Sequence, residues 1–222
     1  MNIWQKIIGI YYRPAEVFEQ LRSKTLWWVP LIIVLVVSAS AVLITRPIVM
    51  PEIMAQMAQN PDIPPESLPQ VQERIENPLY SLLGVFVAMP LTWVVIGLVF
   101  WGIFSMLGGK SSFVQMFTAT VWPAMVSIPG SLIKVPMMFV METAKVHTSL
   151  VLILPPEMEE TFIFRLLSQI DIFVVWTVVV MALGYSVFTG VKKKKSLWAV
   201  FIVWAIWVLV ISAFKGMGGM AG

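Results

Sequence analysis

The sequence predicts an all-α integral membrane protein with five transmembrane helices and with short interfacial helices at the N-terminus and in the outer loops. Of its 222 residues, 59% are hydrophobic and only 12% are charged, and the mean hydropathy is +0.86. A soluble domain carries about 25% charged residues, so this chain could not cover a water-exposed surface. The apolar residues also form five long runs, and a helix needs roughly 20 residues to cross a hydrocarbon core about 30 Å thick.

The five runs define the predicted spans of a single membrane domain over residues 1–222. The second run is longer than a span requires and contains Pro90, which predicts a tilt or a kink. The third contains Pro123, Pro129 and Gly130, which predict a bend or a break. Such breaks persist in membranes where neighbouring helices cover the freed carbonyl groups. The predicted spans are residues 26–45, 79–107, 113–133, 170–188 and 197–214.

Residues 1–25 are predicted to form a cytoplasmic interfacial segment. Their apolar side chains recur at helical spacing, and Pro14 suits the first turn of a second short helix. Two interpretations are open: packing of this segment against the bundle, which the pattern favours, and contact with the membrane surface or a partner. The apolar positions are Ile3, Trp4, Ile7, Ile8 and Tyr11 in the first helix, and Val17, Phe18 and Leu21 in the second.

Residues 46–78 and 134–169 are predicted to be outer loops, and residues 216–222 a flexible tail. In the first loop, one amphipathic stripe runs from Met50 to Met57 and another from Leu68 to Ile75. In the second loop, two apolar patches are too short to span, and we expect them to lie in the interface or to cap the bundle. The acidic residues after Pro156 predict that the fourth helix begins well before its apolar run.

The distribution of lysine and arginine predicts the orientation of the chain. With Lys134 left aside at a span boundary, nine basic residues fall on the side of the N-terminus and five on the other. The positive-inside rule therefore places the N-terminus in the cytoplasm and the C-terminus outside. Four of the nine lie in the short connection between spans four and five: Lys192, Lys193, Lys194 and Lys195.

The side-chain inventory excludes several kinds of chemistry. The chain has no cysteine, and His147 is its only histidine, so a disulfide, a catalytic triad and a cysteine or paired-histidine metal site are all excluded. The basic residues cluster beside apolar runs rather than along one polar face, so the pI of about 9.2 reflects membrane topology and not nucleic-acid binding. We expect no catalytic residue, no cofactor and no bound metal.

Two groups of residues are candidate sites. Asp171 is the only acidic residue inside a predicted span, and Lys134 and Arg165 lie near the same outer boundary. The pattern favours an interfacial carboxylate that reaches water; the alternative is an ion pair that fixes spans three and four or lines a polar pocket. The second group, Ala182, Ser186 and Gly190, forms a small-residue stripe on span four that permits close approach of another helix.

Four stretches together resemble a known family. They are IWQKIIGIYYRPAEVFEQL at the start, GKSSFVQMFTATVWPAMVSIPGS over residues 109–131, LLSQIDIFVVWTVVVMALGYSVFT over 166–189, and KKKKSLWAVFIVWAIW at the last span. In their order and spacing they resemble the bacterial branch of the YIP (Ypt-interacting protein) domain family. The resemblance covers nearly the whole chain, and it implies five spans with a cytoplasmic N-terminus in the cytoplasmic (inner) membrane of a bacterium.

The resemblance also implies a membrane-organising role in contact with the lipid bilayer, with other membrane proteins or with a second copy of the chain. Eukaryotic relatives act in membrane trafficking and bind Rab-type GTPases. Their long soluble N-terminal region and their Asp-Leu-x-Gly-Pro signature have no counterpart here, so we do not expect Rab binding. The sequence therefore favours a non-enzymatic scaffold or assembly protein. The alternative is a small transporter or channel whose site lies near the broken third span.

Overall fold

The computed structural model describes residues 1–59, 64, 66, 68–158 and 161–217, and these residues are helical apart from turns and connections. Five helical runs within them are long and apolar enough to cross a membrane, and the described residues contain no β-strand. The predicted all-α integral membrane fold with five spans is therefore confirmed. The five runs are Trp28–Ala58, Pro78–Met106, Phe113–Met141, Ile172–Thr189 and Lys193–Ala213.

Two of the spans consist of more than one helix. The second contains a π-helix at Gly84–Ala88, just before Pro90, and the third contains a 3₁₀ helix at Trp122–Val126. Irregular turns of these kinds occur where the α-helical hydrogen-bond ladder is interrupted. The α-helices are α1 (Ile3–Gly9), α2 (Pro14–Leu21), α3 (Trp28–Ala58), α4 (Leu68–Glu76), α5 (Pro78–Leu83), α6 (Met89–Met106), α7 (Phe113–Val121), α8 (Ser127–Met141), α9 (Phe162–Ser168), α10 (Ile172–Thr189) and α11 (Lys193–Met217).

Several helices extend beyond the apolar runs that predict them. Helix α3 continues through Pro47 and Pro51 to Ala58, and α8 continues to Met141, so parts of both predicted outer loops are helical. Hydropathy marks where the lipid ends, whereas a helix ends where its backbone hydrogen bonds end, and those two points need not coincide. Helix α11 likewise reaches Met217, and residues 218–222 of the predicted tail lie outside the described residues.

The prediction of an early start for the fourth span was wrong. A separate short helix, α9, precedes it, and α10 begins only at Ile172. The side chain of Asp171 accepts a hydrogen bond from the backbone N–H of Phe173, and this N-cap fixes the start of α10.

Two ends of the bundle are used below as reference points. The turn between α10 and α11 carries Lys192 to Lys195, and we call this side the lysine end. The backbone N–H of Lys110 donates to the carbonyl of Thr189 over 3.2 Å, which brings the turn between α6 and α7 to the same side. The opposite side, where Asp171 starts α10, is the aspartate end.

A cluster of aromatic side chains joins the second, third and fourth spans. Tyr185 on α10 is fully buried, and its ring lies 4.9 Å from that of Phe100 and 5.1 Å from that of Phe104, both on α6. Its hydroxyl is 2.8 Å from Oγ1 of Thr120 on α7, so its polar atom is satisfied inside the bundle. This arrangement holds the three spans in close contact.

The small-residue stripe of span four lies at the connection to span five. The hydroxyl of Ser186 donates to the carbonyl of Val191 over 2.7 Å, and that of Ser196 donates to the carbonyl of Ala182 over 2.5 Å. Gly190 ends α10 with a φ of 76°, a left-handed conformation that favours glycine. In the structure the stripe therefore meets the start of α11 in the same chain.

Enlarging Ser186 should destabilise this connection. Ser186 is 7% exposed, so Ser186→Leu would force extra volume against α11 and remove the bond to Val191. Overpacking of this kind typically costs about 1–3 kcal/mol. Thermal unfolding in detergent should show a lower midpoint for Ser186→Leu than for Ser131→Leu, a variant of a more exposed serine. Equal midpoints would contradict close packing at residue 186.

Candidate functional site

The break in the third span is the most unusual feature of the bundle interior. Pro129 has no N–H, so the carbonyl of Met125, four residues earlier, cannot receive its helical hydrogen bond. The residues of the break are nevertheless buried: Trp122 is 0% exposed, Met125 1% and Val126 2%. The backbone N–H of Ser127 reaches this carbonyl locally, and the second lone pair of the oxygen is open to a donor from elsewhere in the protein.

The donor comes from the N-terminal segment. The hydroxyl of Tyr11 donates to the carbonyl of Met125 over 2.7 Å. The carbonyl of Tyr11 itself accepts a hydrogen bond from the indole Nε1 of Trp176 on α10, over 3.2 Å. Tyr11 therefore links the break in the third span to the fourth span, and it satisfies the carbonyl of Met125 and the indole N–H of Trp176.

Helices α1 and α2 form a hairpin that brings Tyr11 to this position. The amino group of Met1 lies 3.5 Å from Oε1 of Gln20, which places the two helices antiparallel. A Cβ added at Gly9 would lie 2.9 Å from a methyl group of Val17, so the absence of a side chain at Gly9 permits this close approach. Tyr11 lies at the tip of the hairpin, between the two helices.

Phe18 packs the hairpin against α10. Phe18 is 0% exposed, and its ring meets that of Phe188 edge-to-face at 5.9 Å. A Cβ added at Gly184 would lie 2.8 Å from the Phe18 ring. The glycine thus provides the space that the ring occupies. Val17 and Leu21 are also 0% exposed, so the apolar stripe predicted for α2 is its buried face. In α1 the predicted stripe is only partly buried, because Trp4 is 70% exposed and Ile8 58%.

The hairpin reaches well into the bundle. Met125 lies 12 residues beyond Phe113, which corresponds to about 20 Å along α7 and the 3₁₀ helix. Trp176 lies 13 residues before Thr189, again about 20 Å from the lysine end. Of the two interpretations of residues 1–25, packing against the bundle, which the pattern favoured, describes the observed geometry: the hairpin packs into the half of the bundle next to the lysine end.

Removing the hydroxyl of Tyr11 should lower the stability of the protein, because it removes the hydrogen bond between the hairpin and the break in the third span. In Tyr11→Phe, the carbonyl of Met125 loses its side-chain donor and keeps only the backbone N–H of Ser127, while the ring keeps its volume. The net loss of one hydrogen bond costs about 0.5–1.5 kcal/mol. Unfolding in detergent, followed by the loss of near-ultraviolet circular dichroism, should occur at a lower temperature than in the parent. Tyr12→Phe removes a hydroxyl from a residue that is 59% exposed and serves as the control.

At the aspartate end, Asp171 is buried within a polar cluster. It is 4% exposed, and its Oδ1 accepts the N–H of Phe173 over 2.7 Å. Its Oδ2 accepts a hydrogen bond from the hydroxyl of Thr148 and lies 3.3 Å from Nζ of Lys134 on α8. The sequence favoured a carboxylate that reaches water, and this was wrong because residues 148–150 fold over Asp171 and shield it. The alternative, a pair with Lys134, describes the observed geometry.

The surroundings of Asp171 keep it ionised. Burial alone would raise its pKa, but the hydrogen bonds from Thr148 and Phe173 and the charge of Lys134 together lower the pKa below its usual value. At neutral pH the carboxylate is therefore charged and forms an ion pair with Lys134.

The segment after α8 covers this cluster. Ser149 forms an isolated antiparallel bridge with Asp171, and the N–H of Leu150 donates to the carbonyl of Ile170 over 3.1 Å. Farther out, Glu52 at the end of α3 accepts hydrogen bonds from the hydroxyl of Thr143 and the N–H of Ala144, at 2.8 and 3.0 Å. Through these contacts with Glu52 and Asp171, the segment after α8 is attached to the ends of the first, third and fourth spans.

Arg165, the third residue of this candidate group, bonds to the last span. Nε of Arg165 donates to the carbonyl of Ser212 over 3.1 Å, which ties α9 to α11. His147 packs edge-to-face on the ring of Phe164, with centroids 5.5 Å apart. Among the described residues, no three acidic or histidine side chains are grouped so that they could hold a metal ion.

The sequence did not single out Tyr11 and Glu52 as functional residues. Each acts on a backbone group that is distant in sequence: Tyr11 on residue 125, and Glu52 on residue 144. The prolines of the third span predicted that a carbonyl would need a donor, but nothing in the spacing of residues identified which donor it would be. The pairing of Lys134 with Asp171 was among the two interpretations left open.

Comparison with known proteins identifies the family. The Yip1 domain matches residues 8–214 of the chain. A membrane protein of Bacillus subtilis, YknW, is 23% identical over 216 residues, which cover 95% of this chain and 90% of the relative. No solved structure matches the chain.

Proposed function

Because the chain belongs to the Yip1 domain family, and because the break in its third span is sealed, we propose that it is a non-enzymatic membrane scaffold or assembly protein. In this role a rigid bundle presents its outer surfaces to other membrane proteins or to a second copy of itself. It performs no chemistry and moves no solute. Binding of a Rab-type GTPase is not part of the proposal.

The main support for this proposal is that the break in the third span is closed by buried side chains and by the hydrogen bond from Tyr11. Discontinuous helices in transporters leave their freed backbone groups to bind the substrate. Here the freed carbonyl of Met125 is bonded to Tyr11, and Trp122 and Val126 fill the space around it. A site built in this way supports a fixed architecture rather than a substrate cavity.

A transporter or channel remains the second candidate, and two features favour it. The indole N–H of Trp122 is buried at the break, and among the described residues it has no hydrogen-bond partner. Such a group would gain a partner if the break opened to water or to a solute. The Asp171–Lys134 pair could likewise take part in an outward-facing polar pocket.

Site-specific photo-crosslinking distinguishes the two candidates. A benzoylphenylalanine at Ile202, which is 52% exposed on α11, should form a discrete adduct with a membrane protein in intact cells. The same probe at Val200, which is 1% exposed on the same helix, is the matched control and should form none. If probes at Ile202, Ile206 and Leu98 all give no adduct, while the protein in proteoliposomes dissipates a solute gradient, the transporter is supported and the scaffold is rejected.

The proposed orientation places the N-terminus and the lysine end in the cytoplasm and the C-terminus outside. A reporter fused after Gly222 should be active only outside the cytoplasm, and one inserted between Lys192 and Lys195 only inside it. Replacing Lys192 to Lys195 by glutamine should loosen the orientation, because these residues supply four of the nine inner basic charges. Activity on the opposite side at either position would reject this topology.

A further inference from the structure

An apolar groove on the side of the bundle lies between α6, α10 and α11. Its volume is about 530 Å³. Leu91 to Val99 on α6 form one wall, Val178 and Met181 form the floor, and Val200 to Trp207 on α11 form the other wall. Apart from the two tryptophans, Thr92 is the only lining residue with a polar side-chain atom, and its hydroxyl already donates to the carbonyl of Ala88 over 2.8 Å. The groove therefore offers an occupant mainly apolar contact.

The dimensions of the groove fit hydrocarbon chains better than a helix. The wall from Leu91 to Val99 is eight residues long, or about 12 Å. A helix that crosses the hydrocarbon core needs roughly 20 residues, or about 30 Å, so the groove would cover less than half of such a helix. An acyl chain can lie along a groove of this length.

The groove leads towards positive charge at the lysine end. Lys193, Leu197, Val200, Trp204 and Trp207 recur every three or four residues, so they share one face of α11, and the last three line the groove. Lys193 lies seven residues before Val200, or about 10 Å. That interval matches the glycerol and ester region between a lipid phosphate and its acyl chains.

Lys110 approaches the same place from the other wall. It follows the end of α6, and its N–H is bonded to the carbonyl of Thr189 at the end of α10. Lys110 and Lys193 are exposed, and neither forms an ion pair with a described residue. Lysine in the first turn of α11 adds to the positive end of the helix dipole, and both favour an anion beside this turn.

We propose that this face binds an anionic phospholipid, with acyl chains in the groove and the headgroup phosphate between Lys110 and Lys193. Basic pockets between transmembrane helices are suited to anionic lipid headgroups, and the adjoining apolar groove holds the attached chains. The site does not depend on the scaffold role, because a transporter with the same surface would bind the same lipid.

Native mass spectrometry of the delipidated full-length protein tests the site with dioleoyl phosphatidylglycerol, dioleoyl phosphatidylcholine and glycerol 3-phosphate as probes. The first should bind at least tenfold more tightly than the second. Glycerol 3-phosphate should bind weakly or not at all, because it lacks acyl chains. Equal affinity for the two phospholipids would reject the headgroup site, and equal affinity for glycerol 3-phosphate and phosphatidylglycerol would reject the groove.

Two sets of variants locate the lipid. Lys110→Gln with Lys193→Gln should weaken phosphatidylglycerol binding about thirtyfold, as expected for two lysines facing an anionic headgroup. Lys195→Gln is the matched control, because Lys195 lies on the opposite face of α11 with Trp198 and Ile202, and it should change affinity less than threefold. A loss in Lys195→Gln equal to that of the double variant would reject a localised site.

Filling the groove tests the position of the acyl chains. Val203→Trp should reduce phosphatidylglycerol binding at least tenfold by occupying the space between α6 and α11. Ile202→Trp adds the same side chain on the exposed face of α11 and should leave binding unchanged. Val203→Leu gives a milder filling if Val203→Trp does not fold. Unchanged binding in a folded Val203 variant would overturn the proposal.

Discussion

Phe18→Ala should destabilise the protein strongly, by about 3–5 kcal/mol, which is the usual cost of truncating a buried phenylalanine. The side chain is 0% exposed and packs on Phe188 and Gly184. We expect the unfolding midpoint in a denaturing-detergent titration to fall accordingly, and the N-terminal hairpin to become sensitive to protease. Phe86→Ala makes the same chemical change at a residue that is 50% exposed towards the lipid, and it should have little effect.

A double-mutant cycle shows whether the destabilisation by Phe18→Ala comes from the lost contact between Phe18 and Gly184. Gly184→Ala alone should destabilise the protein, because its Cβ would lie 2.8 Å from the Phe18 ring. In the Phe18→Ala background the collision with the ring is gone and only the 3.0 Å contact with Cβ of Ala119 remains, so Gly184→Ala should cost clearly less than in the parent. Additive effects of the two changes would mean that the hairpin does not pack against α10.

Asp171→Leu should have the next largest effect. It removes the N-cap of α10, the acceptor for Thr148 and the partner of Lys134. A lost cap costs about 0.5–2 kcal/mol and a broken buried ion pair about 3–5 kcal/mol. Because the Lys134 side chain is 41% exposed and can reach water, we expect a loss of about 2–4 kcal/mol in the free energy of unfolding. Glu157→Leu changes an exposed acid and should be tolerated.

Exchanging the two charges should fail to restore stability. Lysine at residue 171 cannot accept the N–H of Phe173, so the exchange restores opposite charges but not the cap. Asp171→Asn keeps a cap acceptor and loses the charge, and it should fall between Asp171→Leu and the parent. Full recovery in the exchanged variant would show that charge alone, and not the capped geometry, matters at this end.

The contribution of Asp171 depends on pH in a defined direction. Its pKa is lower in the folded protein than the unfolded value of about 3.9, so its stabilising effect is present above that value and is lost as the pH falls through the folded pKa. The difference in stability between the parent and Asp171→Asn should therefore be constant near neutral pH and decrease as the pH falls through the folded pKa of Asp171. A difference that stayed unchanged from neutral pH into strong acid would contradict an ionised carboxylate.

The sequence predicted the features that depend on local composition. Five apolar runs gave the five spans, and Pro123 and Pro129 gave the break in the third. The ends of α3 and α8 were not predicted, because both helices continue past the residues that hydropathy marks as the limit of the span. The apolar pattern of α2 predicted which of its faces is buried, but not where in the bundle it lies.

The contacts that close the bundle could not be predicted because they join distant parts of the chain. Tyr11 and Met125 are 114 residues apart, and Glu52 and Thr143 are 91 apart. Their pairing follows from how the spans pack and not from any periodicity. For Asp171, charge and position predicted a possible partner in Lys134. Its burial depends on the covering segment at residues 148–150, whose fold the sequence did not disclose.

The N-terminal hairpin lies inside the bundle, where Tyr11 bonds to the broken third span and to α10. Solid-state NMR tests this position of the hairpin without altering the core. The protein is studied in lipid bilayers with ¹⁵N at tryptophan Nε1 and ¹³C at the tyrosine carbonyl. The 3.2 Å hydrogen bond from Trp176 to Tyr11 predicts a strong nitrogen–carbon dipolar contact that disappears in Trp176→Phe. Absence of that contact in the parent would place the hairpin away from α10 and contradict the sealed break.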